Sequence, residues 1–289
     1  MSRVINGKEI ANEIYEKLKE KIKNLKEKYE IPLKLAVISV GDISSFKVYA
    51  NCKKIACQKL GIGFREYIFK ENAKDKEIID LIKDLNNDNN ISGIIVQLPL
   101  PKNLNKEKIL ETIDIGKDID SLNPINLGYL TFAKNLKKIK FASCTALAIL
   151  EILKHEKIKL EGKHVVILSR SNIIGKPLAL MLLNMDATVT VCHSKTRKLS
   201  DICKNADIII SATGIRNIIT KDMVNKNSIV IDAGINRNSE SKICGDVNFE
   251  EISPIVNLIS PVPGGVGPVT VAMLLKNLVL AADIKLNKK

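Results

Sequence analysis

A chain of 289 residues, 45% of them hydrophobic, holds enough apolar matter for one large domain or two ordinary ones, and that content excludes an intrinsically disordered chain. Lys and Arg outnumber Asp and Glu by 45 to 32, a formal net charge of +13 that by itself fits nucleic acid, an anionic membrane or small anionic ligands. Six irregularly spaced cysteines and three isolated histidines exclude a zinc ribbon or an HExxH site, so reduced core thiols and no metal are expected.

The predicted elements alternate. Residues 8–30 place Ile10, Ile14, Leu18, Ile22 and Leu25 at helical spacing, which predicts an amphipathic helix. Leu33–Val40 is a short β-branched run that reads as a buried strand ending at Gly41-Asp42. A helix over Ser45–Leu60, a strand around Phe64–Phe69, a helix over Asp75–Asn87 and a strand over Ser92–Gln97 continue the series. The stretch from about 102 to 142 reads as an irregular, polar connection. A second series follows: a helix over Thr145–Lys154, the strand Lys163–Leu168, a helix from Gly175, and strands at Thr188–Cys192, Asp207–Ser211 and Ser228–Asp232. Val269–Ile284 closes the chain as an apolar helix. Strands alternating with helices predict an α/β fold with mainly parallel sheets, and two such domains fit better than one. The N-terminus lacks the apolar core of a signal peptide, and runs such as Leu178 to Leu183 fall short of the roughly 18–20 residues of a membrane span. A cytoplasmic protein with no membrane contact is therefore expected.

Several segments could carry chemistry. The strand ending at Leu168 runs into Ser169-Arg-Ser-Asn-Ile-Ile-Gly175, a small-residue turn before a helix N-terminus, as in dinucleotide-binding units. An ordinary βα turn accounts for it equally well. The next strand ends Val191-Cys-His-Ser-Lys195, with Arg197 beyond. An NAD site usually has a carboxylate there, whereas these basic and hydroxyl groups suit the 2′-phosphate of NADP; a solvated loop is the plainer reading of Lys195 and Arg197 alone. Tyr49 and Lys53 stand at i and i+4 on one helix face, and a desolvated lysine can handle protons. Gln97 ends a strand just before two prolines, where open α/β sheets place ligands, although a buried amide is the alternative. Asp118 and Asp120 read as loop carboxylates or helix caps. Pro261–Thr270 holds three glycines and three prolines, which suggests close approach to a flat ligand.

Together these segments resemble the bifunctional methylenetetrahydrofolate dehydrogenase/methenyltetrahydrofolate cyclohydrolase family over nearly the whole chain. The blocks that carry the resemblance are Val40-Gly-Asp…Tyr49-x-x-x-Lys53, Val96-Gln-Leu-Pro-Leu-Pro101, Lys117-Asp-Ile-Asp120, Arg170–Pro177, Gly234-Ile-Asn236, Gly245-Asp-Val247 and Pro263-Gly-Gly-Val-Gly-Pro268. The resemblance implies an N-terminal folate-binding α/β domain (residues 1–140, with a C-terminal helix, 271–289, returning to it) and a Rossmann-type NADP-binding domain (141–270). It implies oxidation of 5,10-methylenetetrahydrofolate with NADP, NAD being the alternative, and hydrolysis of the product to 10-formyltetrahydrofolate. Lys53 would handle protons, Tyr49 would orient the folate, Gln97 would hold Lys53, and Asp120 would bind the pterin. Val96, Leu98, Pro99, Pro263, Gly264 and Gly265 would complete the folate site. Ser169, Arg170, Ser171, Ile173, Ser194, Thr213, Gly214 and Ile235 would bind the cofactor. A homodimer through the cofactor domain is implied as well.

The chain departs from the family pattern at Ser169, where glycine is usual, at Ser143-Cys-Thr-Ala146 and at Asp120-Ser-Leu-Asn123. The cyclohydrolase groups are untouched, so any change is expected on the cofactor side. The competing readings are a single-activity enzyme, a non-catalytic ligand-binding relative, and a nucleic-acid-binding protein. The last ranks lowest, because the lysines are scattered among glutamates and aromatics make up only 4%.

Overall fold

The computed structural model describes residues 3–29, 33–41, 44–132, 141–238 and 242–286, and of residues 28, 29, 44–49 and 286 the backbone alone. In chain order the elements begin β1 (Arg3–Val4), α1 (Gly7–Tyr29), β2 (Lys34–Val40), α2 (Ser44–Lys59), β3 (Gly63–Phe69), α3 (Asp75–Asn87), β4 (Gly93–Val96), α4 (Lys106–Glu111) and α5 (Pro124–Phe132). They continue α6 (Cys144–His155), β5 (His164–Leu168), α7 (Gly175–Leu183), β6 (Thr188–Cys192), α8 (Leu199–Lys204), β7 (Ile208–Ser211) and β8 (Ile229–Asp232). The last are β9 (Asn236–Arg237), β10 (Ile243–Cys244), α9 (Phe249–Ile252), β11 (Leu258–Ile259) and α10 (Val266–Leu286).

Contacts divide the chain into two units. One, within residues 13–129, 141–144 and 271–286, is built on a three-stranded parallel sheet of order β3-β2-β4. The central strand β2 is buried on both faces, which explains the apolar run Leu35–Ile38 within it. Ile78, Ile82 and Leu85 on α3 pack with Ile38, Ile94 and Ile109 in its core. α10 from Val271 onward belongs to this unit: Lys21 pairs with Asp283 at 2.9 Å, and Leu278 lies against Gly93. By length and composition α10 could cross a membrane, but Val269, Ala272, Leu275, Leu278 and Val279 on it are fully buried, as in the core helix of a folded domain.

The other unit, within residues 3–12, 130–132 and 145–270, carries a six-stranded parallel sheet of order β1-β11-β8-β7-β5-β6. Its five strands other than β1 follow the doubly wound 2-1-3-4-5 order, whose switch point lies between β5 and β7. β1 pairs with β11 here, so Arg3 and Val4 at the start of the chain join this sheet. Two residues are too short for periodicity to register.

The stretch read as irregular, 102–142, contains α4 and α5, and residues 133–140 lie outside the described ones. The helix signals were present locally. Asn105 Oδ1 accepts from the Lys108 amide and Asn123 Oδ1 from Ile125, with Pro124 in the first helical position. Of the six cysteines, all free, Cys57, Cys144, Cys192 and Cys203 are buried; Cys52 is exposed and Cys244 half-buried, so these two depart from the core expectation.

Lys117 is a structural lysine. Its Nζ donates to the carbonyls of Leu85, Asn86 and Asp88 at 2.7–2.8 Å, placing positive charge on the C-terminal end of α3. Burial, then Lys285, pulls its pKa below the ordinary lysine value. Lys117→Met should cost about 3 kcal/mol, because three carbonyls lose their donor. Chemical denaturation checks this, and a loss below about 1 kcal/mol would refute the capping role.

Candidate active site

In the first unit the sheet ends deliver the site. The Gln97 amide donates to the Ile38 carbonyl, which carries the β2–β4 ladder one residue past β4 and leaves the side chain at the carboxyl edge. Residues 117–119 run alongside β4: Ile94 N–H donates to the Lys117 carbonyl, and Ile94 bridges Asp118. Gly93 makes this possible, since a Cβ there would sit 2.7 Å from Ile119 Cγ2. Asp120 thereby follows Ile119 to the same edge as Gln97.

Lys53 reaches this edge from α2. It is 9% exposed, and its Nζ donates to Gln97 Oε1 at 2.7 Å. Burial is the largest influence and lowers its pKa; Asp120, Cys144, Glu66 and Cys57 oppose that shift. Asp120 keeps some accessible surface, but its carboxyl is closely surrounded: burial raises its pKa, against Lys53 and hydrogen bonds from the Cys144 thiol and amide. Burial likewise pushes the Cys144 thiol well up. Lys53, Gln97 and Asp120, expected to act together, are thus brought together.

Sequence reading gave Cys144 and Asn277 no role. Asn277 Nδ2 donates to the carbonyls of Ile119 (2.8 Å) and Ala142 (3.0 Å) and lies 3.6 Å from Cys144 Sγ, tying down the strands of chain on either side of Asp120. A buried asparagine in an apolar helix was the available signal. Asp118 is a loop clasp: its carboxylate accepts from the amides of Leu122 and Asn123 and from Asn126 Nδ2. Val96 is buried, Leu98 half-buried and Pro99 exposed, joined by a cis peptide. Tyr49 lies one helical turn before Lys53 on α2, and its side chain is outside the described residues.

In the second unit the turn after β5 packs tightly against α7. A Cβ on Gly175 would lie 2.1 Å from the Ser169 carbonyl oxygen, so only glycine lets the helix N-terminus approach the strand end. Ser169 does not crowd the turn. It is absent from the described positive-φ residues, and its hydroxyl bonds within the turn, accepting from the Ser171 amide (3.3 Å) and donating to Ser171 Oγ (3.2 Å). Ser171 Oγ in turn accepts from the amides of Ile174 and Gly175, covering helix donors that would otherwise lack partners. Leu168 pairs with Cys192 in register, so Arg170 and Ser194 each stand two residues beyond the paired strand ends, both exposed. Lys195 and Arg197 are exposed beside them, Ile173 is half-buried, and His193 to Thr196 close as a turn. This rim of cationic and hydroxyl groups fits a phosphorylated dinucleotide.

Thr213 and Gly214 follow β7 and Ile235 follows β8, on the neighbouring carboxyl ends; Gly214 and Ile235 are exposed. Two aspartates missed by sequence reading lie beneath these loops. Asp246 accepts from Ser211, Thr213 and Asn236. Asp232 accepts from the amides of Gly234, Asp246 and Val247, and a Cβ on Gly245 would sit 1.9 Å from it. Burial, with Asp246 adding, pushes the Asp232 pKa up to about 6. A carboxyl raised in the folded state stabilises most below its unfolded pKa of about 4 and loses that contribution as pH rises through 6. The stability of wild type relative to Asp232→Asn should therefore fall by about 2 kcal/mol from pH 4 to pH 7. Denaturation at both pH values reads it, and a pH-independent difference would contradict the raised pKa.

The Pro263–Gly265 segment precedes α10. Gly7 N–H donates to the Gly264 carbonyl at 2.9 Å, and Gly265 N–H to that of Pro261 at 2.9 Å. A Cβ on Gly265 would lie 2.5 Å from the Pro261 oxygen, so backbone packing explains this glycine without a ligand; Gly264 (φ 107°) and Gly267 have no neighbour within 4 Å of a Cβ. Among the described residues no three His, Cys, Asp or Glu side chains group as metal ligands.

Comparison with known proteins matches residues 5–120 to the catalytic domain of tetrahydrofolate dehydrogenase/cyclohydrolase and residues 143–286 to its NAD(P)-binding domain. The bifunctional protein FolD of Acetivibrio thermocellus is 44% identical over 288 residues, covering 100% of this chain and 99% of its own. The crystal structure of the bifunctional FolD dehydrogenase/cyclohydrolase from Campylobacter jejuni is 47% identical, with a TM-score of 0.94 over 99% of this chain and 100% of that one. The Trypanosoma brucei dehydrogenase-cyclohydrolase, solved with NADP cofactor and an inhibitor, is 33% identical with a TM-score of 0.94, covering 99% and 98%.

Proposed function

The chain belongs to the tetrahydrofolate dehydrogenase/cyclohydrolase family, and from that membership we propose how its residues divide two reactions. The protein oxidises 5,10-methylenetetrahydrofolate to the 5,10-methenyl cation with NADP, then hydrolyses that cation to 10-formyltetrahydrofolate. Bound NADP supplies the hydride acceptor. The turn from Ser169 to Gly175 holds the pyrophosphate, since its helix N-terminus favours an anion. Arg170 and Ser194, with Lys195 and Arg197 beside them, hold the 2′-phosphate. Ser171 and Ile173 shape that turn, and Thr213, Gly214 and Ile235 line the nicotinamide.

The observation that carries the hydrolytic half is the 2.7 Å bond from buried Lys53 to Gln97 beside Asp120. An amide oxygen orients Nζ without the full negative charge that would keep it protonated, so burial can favour the neutral amine. Water adds its oxygen to the cationic carbon and gives a proton to Nζ. As the C–N5 bond opens, Nζ returns a proton to N5, while the new hydroxyl loses its own to solvent and becomes the formyl oxygen; one proton is released overall. Asp120, an acceptor at the same edge, holds pterin N–H donors. Tyr49 orients the folate against Val96, Leu98 and Pro99.

Purified protein mixed with methylenetetrahydrofolate and either NADP or NAD tests the assignment: reduced cofactor followed by loss of the methenyl absorbance is expected, faster with NADP. No reduced cofactor with either would remove the dehydrogenase half. The protein works as a cytoplasmic homodimer through its cofactor unit, a state that sedimentation analysis checks.

A further inference from the structure

We propose that Asp246 is a positioning residue for hydride transfer, clamping from behind the two loops whose outer faces meet the nicotinamide. The inference rests on the reading of Thr213, Gly214 and Ile235 as that wall. Asp246 is fully buried, and four donors converge on its carboxylate. Oδ2 accepts from Ser211 Oγ (2.8 Å), Thr213 N–H (2.7 Å) and Thr213 Oγ1 (2.9 Å), all at the end of β7. Oδ1 accepts from Asn236 Nδ2 (2.9 Å), just past β8. Gly234 lies so close that a Cβ would fall 2.0 Å from Oδ1, so the second loop rests on the carboxylate itself.

Only an acceptor on both oxygens satisfies this arrangement; an amide would turn a donor toward one loop or the other. The fronts of the loops are open, with Ile215 55% and Ile235 49% exposed. Asp246 therefore fixes the spacing between two walls of a flat site without touching its occupant. Small displacements of such walls misalign donor and acceptor far more than they weaken binding, which depends mostly on the phosphates.

The test is Asp246→Asn, measured four ways. Amide exchange at Thr213 and Ile215 should quicken at least tenfold, and hydride-transfer kcat should fall by about 10- to 100-fold. NADP affinity by calorimetry should stay within about threefold, and hydrolysis of supplied methenyltetrahydrofolate without NADP within about twofold. Ser211→Ala, which removes one donor, should lower kcat by a few-fold and keeps the test open if Asp246→Asn does not fold. Unchanged kcat in both variants, or equal loss of both activities, overturns the positioning role. Ile235→Trp, an enlarged exposed wall, separates the underlying reading: if it leaves NADP affinity and hydride transfer unchanged, the wall assignment falls and the proposal with it. If Ile235→Trp impairs them while Asp246→Asn and Ser211→Ala do not, only the positioning role falls.

Discussion

Lys53→Met is expected to abolish hydrolysis of methenyltetrahydrofolate, by at least about 10²- to 10⁴-fold, while leaving measurable hydride transfer. Methionine has similar length and apolar reach, so α2 keeps its packing while the site loses its proton-handling group. Lys53→Arg should fail equally: guanidinium keeps the charge near Asp120 but cannot become a neutral base at ordinary pH. Together the two variants separate charge from proton transfer. Absorbance of the methenyl compound follows the reaction directly, and near wild-type hydrolysis in either variant would remove Lys53 from this role. Gln97 bonds Lys53 at 2.7 Å, so its loss should act through the same amine.

Gly175→Ala should raise the NADP dissociation constant about 100-fold and leave hydrolysis within about twofold. The added methyl would sit 2.1 Å from the Ser169 oxygen and 2.5 Å from its carbonyl carbon, both backbone atoms that no rotamer change can clear. α7 must then back away from β5, which costs roughly 3 kcal/mol and moves the helix N-terminus whose dipole favours the anion. Calorimetric titration with NADP is the measurement, and wild-type affinity would show that the close approach has no bearing on the cofactor. Ser169→Gly is the contrasting variant. The serine backbone lies outside the positive-φ set and its hydroxyl bonds only within the turn, so cofactor affinity should change by less than about fivefold.

Much of the architecture was legible locally. The buried β2 run and the α3 periodicity are direct readings of burial on two faces or one. β5 with its following turn fitted a dinucleotide unit and an ordinary βα turn equally, and the absence of a carboxylate after β6 pointed to a phosphorylated cofactor. α4 and α5 escaped because polarity in their neighbourhood outweighed the capping signals of Asn105 and Asn123. β1, β9, β10 and β11 escaped because two-residue strands are defined by their partners and not by a pattern.

Sequence by itself determined the βα rhythm, the number of units, the family and the residues worth testing. For Lys53 and Asp120 a role was implied by resemblance; what the other buried ionisable groups do, tertiary structure alone decided. Lys117 and Lys53 are both buried lysines, yet one closes a helix end on three carbonyls and the other faces Gln97 and Asp120. Asp118 and Asp120, two residues apart, divide the same way: one binds loop amides, the other acts on the lysine through its charge. Asp232 and Asp246 gave no local sign of the network they share. The physical reason is range. Periodicity and turn chemistry are set by neighbours a few residues away, whereas protonation and bonding of a buried group are set by partners as distant as Asn277 is from Ile119, 158 positions along the chain.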